Sequence, residues 1–285
     1  MPSHQRKGSV MNDTVAQHYA QPALLTRLLD ALRAAGKDMA RLSIEDLAPI
    51  DEFHSRRRRA TEELAAWLAP TPGMQVVDIG SGLGGPARYL AQTFGCTVTG
   101  VDLTPDFVAT ATGLTEAVGL QDRVRFQVGS AVSLPFPDAS FDAAWSQNVA
   151  MNIADRAAYY AEAFRVLRPG GRLAIQDVAT GTGAPLDFPV MWADRPEISF
   201  LRTPEDTRRL LESAGFRVAQ WADTSELSLA ESAAERARAR AGEAPPALGL
   251  HLVMGPSFRD RLRNAQRAME DGRLRLIAAL LVKPG

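Results

Sequence analysis

The sequence predicts an α/β fold, a mostly parallel sheet with helices on both faces. Short apolar runs alternate with helical patterns over most of the chain, which is the rhythm of strands joined by crossover helices. The first run, Val76, Val77 and Ile79, is β-branched, as suits a strand covered on both sides. It feeds a glycine turn, Gly80-Ser81-Gly82-Leu83-Gly84-Gly85, and Pro86 then fits the first turn of a helix. Gly80, Gly82 and Gly85 keep the G-x-G-x-x-G spacing, and Asp102 follows at the separation at which an acidic residue grips a ribose. These features point to a nucleoside ligand and leave open which one, a nicotinamide dinucleotide included. Asp78 breaks the apolar run and must find donors in the next loop or in a ligand.

Residues 1–11 read as a disordered leader. From Asn12 a helical pattern runs through Val15, Tyr19, Leu24, Leu25, Leu28, Leu29 and Leu32 to Gly36. A second helix starts near Ser43, with Glu45 and Asp46 in its first turn, and a third spans Phe53 to Leu68, ahead of Pro70. Residues 12–70 are therefore expected as an N-terminal helical cap over the mouth of the sheet. Residues 71–285 form the main domain.

Within that domain, Thr97 to Val101 make a second strand, and Thr104-Pro105 opens a helix that runs to Gly119. Val124–Val128 and Phe141–Ser146 are strands, the latter after the turn-rich LPFPDAS. A helix from Asp155 to Leu167 meets Arg168-Pro169-Gly170-Gly171, and Arg172 to Val178 form a fifth strand. Residues 180–202 read as a long loop; a helix then opens at Thr203-Pro204 and Phe216–Trp221 make a sixth strand. The last strand, Leu274–Val282, follows an insertion at 224–271 that holds helices near 226–241 and 257–271. Long excursions inside a compact domain are usually functional, so 180–202 and 224–271 are expected to form a lid.

Composition excludes several classes. A net charge of -1 provides no field for nucleic acid or an acidic membrane. The single Cys96 permits no internal disulfide, which fits a cytoplasmic protein. The first ten residues lack the apolar core of a signal peptide, and Leu276–Val282 is too short to span a bilayer. Four histidines and one cysteine show no metal-ligand spacing, so no metal is expected.

Four segments carry a resemblance: DIGSGLGG at Asp78–Gly85, GVD at Gly100–Asp102, LPFPDASFDAAWS at Leu134–Ser146, and RVLRPGGRL at Arg165–Leu173. With them, the chain resembles class I S-adenosylmethionine-dependent methyltransferases, in the small-molecule group of the sarcosine and dimethylglycine N-methyltransferases. The match runs from about Tyr19 to Lys283. The finer kinship rests on Asp51-Glu52-Phe53-His54, on Met151-Asn152-Ile153-Ala154-Asp155, and on the pattern around Gly272-Arg273.

The resemblance implies a Rossmann-like sheet of seven strands, the last antiparallel, with S-adenosyl-L-methionine at the carboxyl ends of the first four. It implies that Gly80 and Gly82 approach the methionine portion, that Asp102 accepts the ribose hydroxyls and that Leu103 flanks the adenine. Ser130 and Ala131 stand where relatives often place Asp against the adenine amino group. Gln147 would sit beside the methionine portion, and Tyr19 would close over it. Asp102 as a helix cap and Tyr19 as a core aromatic are the plainer alternatives.

Methyl transfer from a sulfonium neutralises charge, so orientation and exclusion of water supply most of the rate, and a base matters only where the acceptor must lose a proton. His54, which the resemblance sets near the acceptor, and Asp177, at the end of the fifth strand, are the candidate catalytic groups. His251, Asn152 and Trp192, with Phe188, Met191 and Phe200, are candidates for the acceptor pocket. Arg57 stands where relatives tend to have glycine. On a helix from Phe53 it would share a face with Ala60 and Leu64 and point inward, its guanidinium suited to a carboxylate or phosphate. The expected activity is methyl transfer to nitrogen or oxygen of a small metabolite. Carbon methylation of a natural-product intermediate and a nicotinamide-dependent oxidoreductase are the alternatives.

Overall fold

The computed structural model describes residue 19 and residues 21–285. The leader expected at 1–11 and the helix start at Asn12 and Val15 lie outside the described residues. The sheet has seven strands: β1 (Gln75–Ile79), β2 (Thr97–Asp102), β3 (Val124–Val128), β4 (Phe141–Gln147), β5 (Leu167–Thr180), β6 (Arg217–Asp223) and β7 (Leu274–Val282). Their order is β3-β2-β1-β4-β5-β7-β6. β7 runs antiparallel to both β5 and β6, and the other pairs are parallel. The chain reverses direction across the sheet between β1 and β4, so a crevice forms at their carboxyl ends.

The helices are α1 (Leu24–Ala34), α2 (Ile44–Asp51), α3 (Arg57–Leu68), α4 (Gly85–Phe94), α5 (Pro105–Ala117), α6 (Arg156–Val166), α7 (Pro204–Ser213), α8 (Ser225–Arg240), the single turn α9 (His251–Met254) and α10 (Phe258–Glu270). Successive strand residues face opposite sides, so each face of the sheet builds its own core. On one side Val77, Ile79, Ala144, Leu173 and Ile175 pack on Tyr159, Tyr160 and Ala163 of α6 and Leu211 of α7. On the other, Val76, Val98, Trp145 and Ala174 pack on Leu64 and Leu68 of α3 and Leu90 of α4. A third cluster joins Leu24, Leu28 and Leu32 of α1 to Phe107 and Leu114 of α5.

Three elements differ from expectation. The helical pattern read through Tyr19 to Gly36 is broken at 21–23, where Ala23 takes a φ of 58°, and α1 starts at Leu24. α3 begins at Arg57, not Phe53, and Glu52 to Arg56 form an irregular strap. Arg56 and Arg57 take positive φ, 64° and 47°, and the chain turns sharply there before the helix can start. Phe53 therefore shares no helical face with Arg57. α3 also lies on a face of the sheet, and only α1, α2 and the strap sit by its mouth. β5 starts earlier than expected, at Leu167, because Gly170 N–H and Gly171 O continue the pairing with Lys283 beyond β7.

α2 is closed by a capping box, in which Ser43 Oγ accepts from Asp46 N–H while Asp46 accepts from Ser43 N–H. Its far end delivers Asp51 to Arg88 of α4. Nη2 of Arg88 donates to Asp51 Oδ2 at 2.8 Å, and both side chains are fully buried. Asp51→Ala strands this guanidinium, so the variant should lose about 3–5 kcal/mol of unfolding free energy. Urea unfolding followed by circular dichroism measures it, and an unchanged midpoint would remove the pair from the account of stability.

Candidate active site

A cavity of about 610 Å³ opens at the carboxyl ends of β1, β2 and β4. Its floor is the glycine turn. Gly80 N–H donates to Val101 O at 2.7 Å with φ at 77°, and a Cβ there would strike the Val149 side chain. Gly82, at φ 51°, faces open space, and its N–H donates to Asp102 Oδ2 at 2.9 Å. Oδ1 of Asp102 accepts from Thr104 N–H at 2.9 Å. The carboxylate thus ties the glycine turn to the residue that precedes α5, and each oxygen keeps a lone pair for a ligand. Burial raises the Asp102 carboxyl, and the N–H groups of Thr104 and Gly82 offset only part of the rise. Leu103, Ser130 and Ala131 line the same end.

Asp78, at the last turn of β1, also lines the cavity. It is 2% exposed, and its Oδ2 has no hydrogen-bond partner among the described residues. Burial, with the negative charges of Asp102 and Glu52, pushes its carboxyl up to about 8. The Ser81 hydroxyl nearby is likewise unpartnered. Glycine backbone open to the cavity, two carboxylates and a spare hydroxyl fit a ligand with a ribose diol and an ammonium or sulfonium charge.

The strap forms the next wall. His54 Nε2 meets Glu52 Oε2 at 2.8 Å and Thr61 Oγ at 3.1 Å, and Nδ1 meets Ser55 O at 3.2 Å. Both ring nitrogens are therefore engaged. Burial raises the Glu52 carboxyl, but the hydrogen bond and charge of His54, with Arg58 and Thr61, outweigh it and hold it low. Arg58 Nε lies 2.9 Å from Glu52 Oε1, yet that oxygen has no hydrogen bond of good geometry, so the contact is a charge pair. Gln147, the last residue of β4, accepts from Trp145 Nε1–H at 2.9 Å and donates to Gln176 Oε1 at 2.8 Å. These bonds fix its amide beside His54.

The far end lies under the two inserted segments. Met191 and Trp192 come from 180–202, α8 contributes Ser228, Leu229 and Ser232, and α10 contributes Leu262 and Met269. Trp192 Nε1–H donates to Ser199 Oγ at 2.9 Å. Asn152 donates to the carbonyls of Trp192 and Ile198 at 2.9 and 3.1 Å and accepts from Tyr19 OH at 3.0 Å. Tyr19 also packs its ring against Phe53 and Phe107, and burial, then the charge of Asp102, raises its phenol. Asn152 and Tyr19 therefore tie the loop over the cavity while lining it.

Two expected site residues stand elsewhere. Asp177 is fully buried behind the wall, where Oδ1 accepts from Val149 and Ala150 N–H at 3.1 and 3.0 Å. Burial raises it to about 6. It positions the loop after β4 and does not line the cavity, because β5 turns its side chain toward that loop. His251 is exposed on α9, outside the cavity lining, as the preceding Leu250 takes the inward position. Phe188 and Phe200 are also absent from the lining. Missed by the sequence were Glu52, although it belongs to the quoted DEFH element, and Glu231 of α8, which nothing in an Ala/Arg/Glu-rich helix singles out.

The profile of the family described as Methyltransferase domain matches residues 77–175. O-methyltransferase resE of Aspergillus sclerotiorum is 30% identical over 180 residues, which span 63% of this chain and 68% of that protein. The chain belongs to the S-adenosylmethionine-dependent methyltransferase family. Methyltransferase GfsG of Streptomyces halstedii is 39% identical over 133 residues, 47% of this chain and 48% of that one. The glycine/sarcosine/dimethylglycine N-methyltransferase of Actinopolyspora halophila is 30% identical over 178 residues, 62% of this chain and 32% of that one. The chain thus spans about half of the first of these two relatives and a third of the second. The solved structure of the 4+2 cyclase SpnF superposes with a TM-score of 0.65 at 24% identity, covering 99% of this chain and 97% of that one, and shares the fold. No described helix is long and apolar enough to cross a membrane.

Asp78 yields a pH prediction. Its folded carboxyl, at about 8, stands above the ordinary value near 4, so the folded protein holds a proton that the unfolded chain releases. Stability is full below about pH 4 and falls as pH rises to about 8. Asp78→Asn should remove this slope, gaining a few kcal/mol at about pH 9 and almost nothing at about pH 4 in the absence of ligand. Urea midpoints at both pH values test it, and parallel wild-type and variant profiles would refute it.

Proposed function

We propose that this protein transfers the methyl group of S-adenosylmethionine to a nitrogen or oxygen of a small-molecule acceptor. The observation that carries the reading is the continuity of the cavity. A carboxylate-rich end over the glycine turn runs without a break into an apolar chamber beneath 180–202 and α8–α10. The first half suits a cationic nucleoside and the second an uncharged organic body.

Asp102 would accept the ribose hydroxyls, with Leu103, Ser130 and Ala131 beside the adenine. Gly80, Gly82 and Gln147 would flank the methionine portion, with Asp78 and Ser81 available to its ammonium. When bound, the cofactor supplies an electrophilic methyl on a sulfonium. The chain's part is to orient the acceptor and exclude water, which suffices for a displacement that neutralises charge. Trp192, Asn152 and Tyr19 hold the loop closed over the junction of the two halves. The engaged nitrogens of His54 favour nitrogen or oxygen acceptors, which bring their own lone pair, over a carbon acid that needs a strong base. His54 then orients the strap from which the acceptor end is built.

Because the fold also serves a cyclase, turnover must be read directly. Isothermal calorimetry with S-adenosylhomocysteine should show binding, and NAD should show none. Asp102→Ala should weaken that binding by a few kcal/mol through loss of two charge-assisted bonds, in a variant whose folding is checked by circular dichroism. Label from methyl-tritiated S-adenosylmethionine should appear in members of a phenol, carboxylate and amine library. Unchanged affinity in the variant would defeat the ribose assignment, and cofactor binding without label transfer would defeat the activity.

A further inference from the structure

Four consecutive arginines border the cavity on the strap and the first turn of α3, and their charges are not equally matched. Arg56, only 4% exposed in its side chain, reaches Glu63 at 2.7 Å and Glu231 of α8 at 2.9 Å. Arg58 sits against Glu52 and over the Tyr89 ring. Arg59 lies 3.8 Å from Glu231 and is largely exposed. Arg57 is half-buried and, among the described residues, has no carboxylate within ion-pairing distance. It is a guanidinium on the cavity wall that no carboxylate of the described residues compensates.

Two further observations bear on Arg57. Its backbone is left-handed, at φ 47°, a conformation that glycine holds without strain and arginine does not. Nothing in the packing of the strap calls for a long cation there. It is also the first residue of α3, where unpaired N–H groups add positive potential. On the nearest lid element, Glu231 is already shared by Arg56 and Arg59, and Glu235, which also lines the cavity, forms no ion pair with Arg57. Across the chamber, Met191, Trp192, Leu262, Ala265 and Met269 offer only apolar surface.

We propose that the acceptor is an amphiphile, an apolar body carrying one oxyanion group, carboxylate, sulfate or phosphate, that seats on Arg57 while the body lies against the loop at Met191–Trp192 and α10. This rests on the methyltransferase reading and names the chemistry of its acceptor. A planar guanidinium pairs with such groups through two parallel bonds, and the half-buried setting reduces screening. Neutral compounds of the same shape leave the charge unmatched and bind less well.

The test needs no knowledge of the natural acceptor. Two fluorescent probes of similar shape are titrated into protein saturated with S-adenosylhomocysteine: 8-anilinonaphthalene-1-sulfonate, which is anionic, and N-phenyl-1-naphthylamine, which is neutral. Arg57→Gly removes the cation and relieves the left-handed backbone, so loss of folding is not the expected confounder. It should weaken the sulfonate about tenfold or more and leave the neutral probe within about twofold. Arg57→Lys, which keeps a charge, should recover part of the sulfonate affinity. Equal loss of both probes, or no loss of the sulfonate, overturns the proposal. So does weaker S-adenosylhomocysteine binding in Arg57→Gly with the sulfonate unchanged, since Arg57 would then serve the cofactor. A wild-type protein that binds no S-adenosylhomocysteine defeats the methyltransferase reading itself, and the probe comparison in ligand-free protein still reports on Arg57.

Discussion

The floor of the cavity depends on a buried charge. Arg88, on the second turn of α4, is wholly out of water and must spend its donors inside the protein. It donates to the carbonyl of Ala111 and the hydroxyl of Thr115 on α5, to the carbonyl of Leu83 in the glycine turn, and to Asp51 at the end of α2. One side chain thus gathers four segments that share no strand pairing. Replacing such an ion by an apolar group of equal size often stabilises a protein, so its value lies in specifying one arrangement. Here that arrangement is the path of Leu83 to Gly85, the backbone that a nucleoside must approach.

Above this floor the cavity is polarised. Asp78 and Asp102 gather at the glycine turn, while the strap carries the ionised Glu52, held by His54 and Arg58, and is followed by Arg57, which has no carboxylate within ion-pairing distance among the described residues. Burial first, and then the negative charges of Asp102 and Glu52, raise the Asp78 carboxyl. A positive ligand at the glycine turn offsets the negative charge there, and a negative group on the acceptor would offset Arg57.

The strands were legible because each is a short β-branched or apolar run between turn residues, and Leu274–Val282 has the bounds read from sequence. The nucleoside end was legible too: glycine spacing and a carboxylate at the end of the next strand are local patterns. The strap was not. A helical pattern through Phe53 to Leu68 is periodic enough to continue, and only the paired left-handed residues Arg56 and Arg57 interrupt it. Helical periodicity records which face is buried, not which partner buries it, so α3 read as cap although it covers the sheet. Asp177 was misplaced for a related reason. The end of a strand is a location, whereas the direction of a carboxylate depends on which N–H groups lie within reach, here those of Val149 and Ala150.

The two roof helices are anchored differently. α10 is anchored from within: buried Arg261 pairs with Asp194 and donates to Val190 O at 2.7 Å, and Ala268 is fully buried. α8 buries only Ser225 among its residues and leaves Leu227 half exposed. Apart from its root, where Thr224 and Ser225 bond to Leu276, it is held largely by Arg56 on Glu231 and by an exposed Arg236–Glu270 pair. The exposed Arg236–Glu270 pair contributes about 0–1 kcal/mol, far less than a packed face, and the half-buried Arg56–Glu231 pair is the firmer tie. α8 is thus held less by packing than α10 is. Its cavity face mixes the polar Ser228, Ser232 and Glu235 with Leu229 and Ala234, whereas the anchored α10 presents Leu262, Ala265 and Met269 beside Gln266, so most of the apolar roof sits on the helix that is anchored from within.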